Sequence, residues 1–163
     1  QHGTDRITTW DIIDQQEASL TLRRTYEGID HPLIGEASIV FSINDEHCFS
    51  LTRSTLYTGD ILIPVGTGLH KYFCPRASFQ YNNVLTVENG KNYHLDGMSD
   101  IYIKHKEKRF LISAEPEPLE TVVWTENSDD HICVEPWWAH VGDGPIMTPG
   151  ETRIESYTIR CIV

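Results

Sequence analysis

Stiff β-branched side chains outnumber good helix formers in this chain. Its 163 residues include 17 Ile, 9 Val and 15 Thr, against 5 Ala, 11 Leu and 2 Met. Branching at Cβ restricts a side chain in a helix but suits the pleated surface of a sheet, where neighbouring side chains pack together. The residue usage therefore predicts an all-β protein with negligible helix.

Apolar and polar residues alternate along many short segments, with turn residues between the segments. A period of two is typical of strands that bury one face, and about eleven segments have it. Turn signals such as Asn89-Gly90 and the proline-containing loop 115–120 separate them. We predict an antiparallel β-sandwich formed by a single domain over residues 1–163. The clearest strand candidates are 19–22, 37–43, 48–52, 82–90, 101–103, 109–113, 121–125, 131–135 and 154–163.

The charge balance is acidic, with 24 Asp and Glu against 13 Lys and Arg and a formal net charge of -11. Nucleic-acid backbones and anionic membranes are bound by clustered basic residues, so neither is expected as a partner. The longest apolar run is 61–65, whereas a membrane-spanning helix needs about 20 residues. The absence of a signal peptide and of a glycosylation sequon favours a cytoplasmic protein. Because the chain begins with Gln1, the loss of a leader or of a longer N-terminal part stays open.

The cysteines and histidines form no metal-binding or redox motif. The four cysteines are far apart and three lie in strand-like apolar segments, so buried free thiols are expected, with two disulfides in a secreted protein as the alternative. The eight histidines have neither HxH nor helical i, i+4 spacing. Phosphate-binding glycine loops and nucleophile elbows are also absent. We expect no metal and no cofactor.

Three segments place polar side chains beside aromatic ones, and the third is the most informative. Its sequence, DHICVEPWW, spans 130–138. Alternation predicts that Cys133 and Glu135 share one face of a strand that ends at Pro136, and that Trp137 and Trp138 point opposite ways, one into the core and one into a site. A carboxylate beside indoles suits sugar recognition, because the rings stack on C–H faces while carboxylates bind hydroxyls.

Together the three segments resemble the aldose 1-epimerase (galactose mutarotase-like) superfamily. The family's HGxxRxxxW, HxYF and CVEPW segments, followed by PGE, are matched at 2–10, 70–73, 133–137 and 149–151. The resemblance covers nearly the whole chain but only the C-terminal half or so of a typical member. It implies a large β-sandwich that here either lacks the early strands or is reduced.

The resemblance implies an isomerase that interconverts the α and β anomers of a hexose. Glu135 would take the O1 proton and His70 would protonate the ring oxygen. Alternatives are a non-catalytic carbohydrate-binding module and a hexose-6-phosphate mutarotase, which would need nearby basic residues such as Arg53, Lys71 or Arg76. The sequence fixes neither the sugar nor the oligomeric state. The residues implied to hold the sugar are His2, Arg6, Asp100 and Trp137.

Each candidate residue also has a purely structural interpretation. Glu135 would then be an exposed carboxylate at a strand end, and His70 a histidine in a turn. His2 lies near the chain end, where side chains are often disordered. Arg6 would pair with a surface acid.

Overall fold

The structure is a computed structural model that describes residues 8–29, 33–44, 47–65, 71–73, 78–81, 83–85, 88–97, 101–105, 107–126, 131–138 and 146–162. Strands and no helix occur among these residues, which confirms the predicted all-β class. The strands are β1 (Asp11–Gln15), β2 (Ser19–Glu27), β3 (Ile34–Ile43), β4 (Cys48–Tyr57), β5 (Ile63–Pro64), β6 (Lys71–Phe73), β7 (Ser78–Tyr81), β8 (Asn83–Leu85), β9 (Asn92–Asp96), β10 (Ile101–His105), β11 (Lys108–Glu115), β12 (Glu120–Trp124), β13 (Ile132–Trp137), β14 (Ile146–Met147) and β15 (Thr152–Cys161).

The strands form two main sheets with antiparallel ladders. The large sheet has nine strands in the order β1-β2-β3-β4-β15-β11-β10-β7-β8. The small sheet has four strands in the order β6-β13-β12-β9, and β5 pairs with β14 in a separate ribbon. The proline-containing loop after β11 leads from the large sheet to β12 of the small sheet.

The two sheets share one apolar core, so the architecture is the predicted sandwich. Isoleucines of β10 and β11 and a tyrosine of β15 meet valines and an isoleucine of β12 and β13. Each such side chain contributes about 1.5–3 kcal/mol when it is fully buried. The cluster consists of Ile101, Ile103, Ile112, Val123, Ile132, Val134 and Tyr157.

A second apolar cluster lies at the other end of the large sheet, where Tyr26, Ala37 and Tyr57 pack with residues of the β5–β14 ribbon. Trp10, from the first sequence motif, packs against this cluster. β3 contributes Gly35 here with a φ of 148°, and a Cβ at this position would collide with the carbonyl oxygen of Leu56. Close approach of β3 to β4 therefore requires glycine at this position.

The edge strand β1 was not predicted from the sequence. All five of its residues are exposed, including both isoleucines, so it lacks the buried face that produces alternation. The Asn89-Gly90 turn was predicted correctly: Gly90 has a φ of 74° and lies two residues before the start of β9 at Asn92. The described part of the chain contains no helix with the length and apolar character that a membrane crossing requires.

Candidate functional site

The small sheet has one apolar face and one face that carries carboxylates and indoles. On β13, Ile132 and Val134 point into the core, and the residues that alternate with them point outward. The same face continues across β12 and β9, because Val122 of β12 pairs with Glu135 on one side and with His94 on the other. We call the outward face the carboxylate face; it consists of Asn92, His94, Asp96, Glu120, Val122, Trp124, Cys133, Glu135 and Trp137.

Glu135 is held at the centre of the carboxylate face by hydrogen bonds to both carboxylate oxygens. Its Oε1 accepts from the indole N–H of Trp124 and from the Cys133 thiol at 3.3 Å. Its Oε2 accepts from the indole N–H of Trp137 at 3.2 Å. Glu135 acts as acceptor in all three contacts, which is the role of an ionised carboxylate. The side chain therefore has a fixed position and orientation.

The prediction that the strand ends at Pro136 is wrong, and Glu135 is not the exposed strand-end carboxylate of the structural alternative. Glu135 is only 5% exposed, and β13 continues through Pro136 to Trp137. Pro136 pairs with Thr121 of β12, and among the described residues it has a ladder partner on that side alone. A proline is tolerated at such an edge position because its nitrogen can face away from the ladder.

The side chains of the two adjacent tryptophans point in opposite directions, as alternation predicts. Trp137 lies half-buried beside Glu135 on the carboxylate face. Trp138 is buried and its indole N–H donates to the carbonyl oxygen of Pro116 at 2.6 Å. Trp124, which the sequence did not single out, supplies the second indole beside Glu135 and meets His131 edge-on at a ring separation of 6.0 Å. The sequence contained one signal for this position: in β12, Trp124 alternates with Val123 and therefore lies on the face opposite to the core.

A histidine–carboxylate pair lies on the same face, with Glu120 on β12, next to the strand of Glu135, and His94 on β9, one strand further away. The Nδ1 of His94 and Oε1 of Glu120 are 2.6 Å apart. The sequence analysis did not identify this pair, because the pairing of β9 with β12 depends on a register that local sequence does not contain. Alternation in β9 did contain one signal: Asn92, His94 and Asp96 share a face, while Tyr93 and Leu95 pack against the core.

The other predicted site residues lie outside the described residues: His2, Arg6, His70 and Asp100. The structure therefore brings together Glu135 and Trp137 from the predicted set. The nearest described point to His70 is Lys71, which follows it in sequence. Lys71 pairs with Val134, the residue before Glu135.

Among the described residues, no group of three or more His, Cys, Asp or Glu side chains is arranged to hold a metal ion. Cys48, Cys133 and Cys161 are free thiols, the first two buried, while Cys74 lies outside the described residues.

Beneath the small sheet, burial raises the pKa of the Tyr157 hydroxyl well above its ordinary value, and the nearby Cys133 thiol adds to this shift. The Tyr157 hydroxyl has no hydrogen-bond partner among the described residues. It is therefore kept neutral and is not a component of the carboxylate face.

Comparison with solved structures identifies the fold as galactose mutarotase-like. A protein of Synechocystis sp. PCC 6803 matches with a TM-score of 0.83 and 19% identity over 99% of this chain and 68% of its own. A candidate aldose 1-epimerase of Escherichia coli K12 matches with a TM-score of 0.79 and 17% identity over 98% of this chain and 70% of its own. A galactose mutarotase related enzyme of Lactobacillus acidophilus matches with a TM-score of 0.78 and 16% identity. The match covers 100% of this chain and 74% of that enzyme's own chain.

The covered shares are larger than the C-terminal half or so that the sequence motifs suggested. No family model and no curated protein matches the sequence. At identities of 16–19%, the likeness establishes the fold.

Proposed function

We propose that this protein is an aldose 1-epimerase, an isomerase that interconverts the α and β anomers of a hexose, with Glu135 as the catalytic base. The observation that carries the proposal is the Glu135 carboxylate, held between the indoles of Trp124 and Trp137 on an outward sheet face of a mutarotase-like fold. A fixed carboxylate between aromatic rings suits a sugar, which offers both hydroxyls and apolar C–H faces.

The reaction requires two proton transfers and one bond rotation. A base removes the proton from O1 while an acid protonates the ring oxygen, and the C1–O5 bond breaks to give the open-chain aldehyde. Rotation about C1–C2 presents the other face of the carbonyl, and the ring closes with the two proton transfers reversed. Side chains that exchange protons near neutral pH suffice for each step.

Glu135 has the features that the base requires. Three hydrogen bonds orient its carboxylate, and a positioned base avoids the entropy cost of finding its proton. We assign the acid to His70, because it matches the family motif and precedes Lys71, whose pairing with Val134 brings this part of the chain beside β13. His2, Arg6 and Asp100 would complete the sugar contacts, and Trp137 would stack on the ring.

Replacement of Glu135 by Gln tests the proposal. Gln keeps the size of the side chain but cannot accept the O1 proton, so exchange of α- and β-anomers should slow by about 10²–10⁴-fold. The exchange rate is measured by NMR saturation transfer on glucose and galactose. The control is Glu155→Gln on the large sheet, since Glu155 is also a buried carboxylate but lies on β15. Equal rates in wild type and Glu135→Gln would exclude Glu135 as the base.

The same assay separates the alternatives. A carbohydrate-binding module would bind sugar without accelerating exchange in the wild-type chain. A hexose-6-phosphate mutarotase would accelerate exchange of the phosphorylated sugar alone. Arg53, one of the basic residues considered for that function, lies on β4 of the large sheet and donates through Nε to Thr55 at 3.3 Å. Arg53 therefore lies on the other sheet from Glu135, whereas Lys71 lies on β6, which pairs with β13.

A further inference from the structure

The His94–Glu120 pair lies on the carboxylate face at a distance from Glu135 that a sugar can bridge. Val122 separates them: it pairs with Glu135 on one side and with His94 on the other. Strands in a sheet are about 4.8 Å apart, so β9 and β13 are roughly 10 Å apart. Glu135 and His94 therefore stand on opposite sides of a narrow strip whose floor is the buried Val122.

The indoles close the strip along the strand direction. Trp124 follows Val122 on the same face of β12, and Trp137 pairs with Glu120 at the other end. Both rings are half-buried, so part of each surface faces solvent. The strip thus has a carboxylate and a histidine on its long sides and aromatic surface at its ends, a combination of apolar and polar groups that is typical of small-molecule sites.

His94 is oriented within this strip rather than being a free surface side chain. Its Nδ1 is engaged by Glu120 Oε1 at 2.6 Å, although 57% of the His94 side chain is exposed, against 14% of Glu120. This bond fixes the ring plane and leaves Nε2 as the ring atom available for a hydroxyl.

The arrangement places like charges opposite one another in the small sheet. Glu120 pairs directly across the ladder with Asp96, and like charges in opposite positions destabilise a sheet. Described carboxylate-face residues include Asp96, Glu120 and Glu135 but neither Lys nor Arg. Local rules of this kind are most often broken where a ligand binds.

We propose that His94, positioned by Glu120, binds a hydroxyl of the sugar and determines which hexose epimers the site accepts. The inference rests on the proposed function, and it adds a contact on β9 to the one made by Glu135 on β13. His94 is a specificity residue here: it takes no part in the proton transfers at O1 and the ring oxygen.

The test compares two C4 epimers, glucose and galactose, in steady-state anomer exchange. His94→Ala should lower kcat/KM by about 3- to 10-fold for the epimer whose hydroxyl contacts the imidazole, through KM, while kcat stays near the wild-type value. The ratio of kcat/KM values between the two sugars should change by a similar factor. Glu120→Gln should shift the ratio in the same direction by less, and His94→Gln should restore part of it.

Lys91→Ala is the matched control, since it breaks an exposed ion pair, Lys91 Nζ to Glu88 Oε2 at 2.6 Å, in the turn that precedes β9. It should leave both sugars at wild-type kcat/KM. An unchanged epimer ratio in His94→Ala, with the fold intact by circular dichroism, would overturn the inference and leave the proposed function standing.

Failure of the proposed function itself has a different signature. If the wild-type chain binds neither sugar and accelerates neither exchange, both proposals are wrong. If it binds without turnover, the mutarotase proposal is wrong, and the same epimer ratio is then measured from dissociation constants. An altered ratio in His94→Ala would support the specificity role, and an unaltered one would reject it.

Discussion

The inner and outer faces of the small sheet are built from alternate residues of the same strands, yet they bury different kinds of group. The inner face contributes Val123, Ile132 and Val134 to an apolar core shared with the large sheet. The outer face buries Glu135 almost as completely, but there the carboxylate accepts hydrogen bonds from two indoles and a thiol. Burial alone therefore does not distinguish core from site; the chemistry of the buried group does.

The difference between the two faces predicts that substitutions on the inner face mainly change stability, while substitutions on the outer face mainly change activity. Inner-face changes should lower the free energy of unfolding and leave the exchange rate per folded molecule unchanged. Outer-face changes should lower the exchange rate with smaller effects on stability. Two substitutions on the small sheet test this separation, and a third probes the core from the large sheet.

Ile132→Ala should have the largest effect on stability. It removes a buried side chain from the shared core, and such truncations cost about 2–5 kcal/mol through lost burial and the cavity left behind. Urea denaturation followed by circular dichroism measures the loss. Ile12→Ala, at a position 63% exposed on β1, should change stability by no more than about 0.5 kcal/mol. A fall in activity per folded molecule in Ile132→Ala would contradict the separation of the faces.

Trp124→Phe should have an intermediate effect, expressed in activity. Phe keeps an aromatic ring beside the strip but removes the N–H that donates to Glu135 Oε1. A hydrogen bond to a charged group is worth about 1.5–3 kcal/mol, so kcat/KM should fall by about 10- to 100-fold. Trp138→Phe is the matched control, because it removes an N–H that donates to Pro116 instead. The control should lose stability and retain activity; the reverse pattern would show that the two indoles had been assigned to the wrong roles.

Tyr157→Phe should have the smallest effect at neutral pH and a distinct one at alkaline pH. Because burial raises the pKa of Tyr157 in the folded state, the unfolded chain loses this proton first as the pH rises. The contribution of Tyr157 to stability is complete below its unfolded pKa, about 10, and declines above it by up to about 1.4 kcal/mol per pH unit. Tyr157→Phe should therefore flatten the decline in unfolding free energy above pH 10.

Tyr57→Phe provides the comparison for Tyr157. Its hydroxyl donates to the carbonyl oxygen of Ile61 at 2.5 Å, so its removal should cost about 0.5–1.5 kcal/mol at neutral pH. Tyr157→Phe should be close to neutral there, because no described residue bonds its hydroxyl. Identical alkaline profiles for wild type and Tyr157→Phe would contradict the assigned shift.

The sequence predicted the two faces of β13 correctly because alternation is a local property. Ile132 and Val134 on one side, and Cys133 and Glu135 on the other, follow from a period of two with no knowledge of neighbouring strands. The position of Glu135 within its strand was missed, because Pro136 was interpreted as a strand terminator. Whether a proline ends a ladder depends on which side of the strand is paired, and that is a tertiary property.

The same limit explains why the His94–Glu120 pair was missed. The two residues come together through the register of β9 on β12, across a separation of 26 residues. Neither segment contains a signal for the other, and a shift of one residue would place His94 in the core. Trp124 was missed for a similar reason, since only its pairing with Cys133 brings it to Glu135. Local pattern predicts which residues share a face, while register decides which of them meet.

The central position of β15 in the large sheet has a consequence for how the chain is made. β15 lies between β4 and β11 and pairs with both, although it is the last strand described. At about 5–20 residues per second, roughly 5–20 s of synthesis separate the end of β4 at Tyr57 from the start of β15 at Thr152. During that time the edge of β4 that β15 will occupy is unpaired, and unpaired edges invite pairing with other chains. The nascent chain should therefore depend on chaperones until β15 has been made.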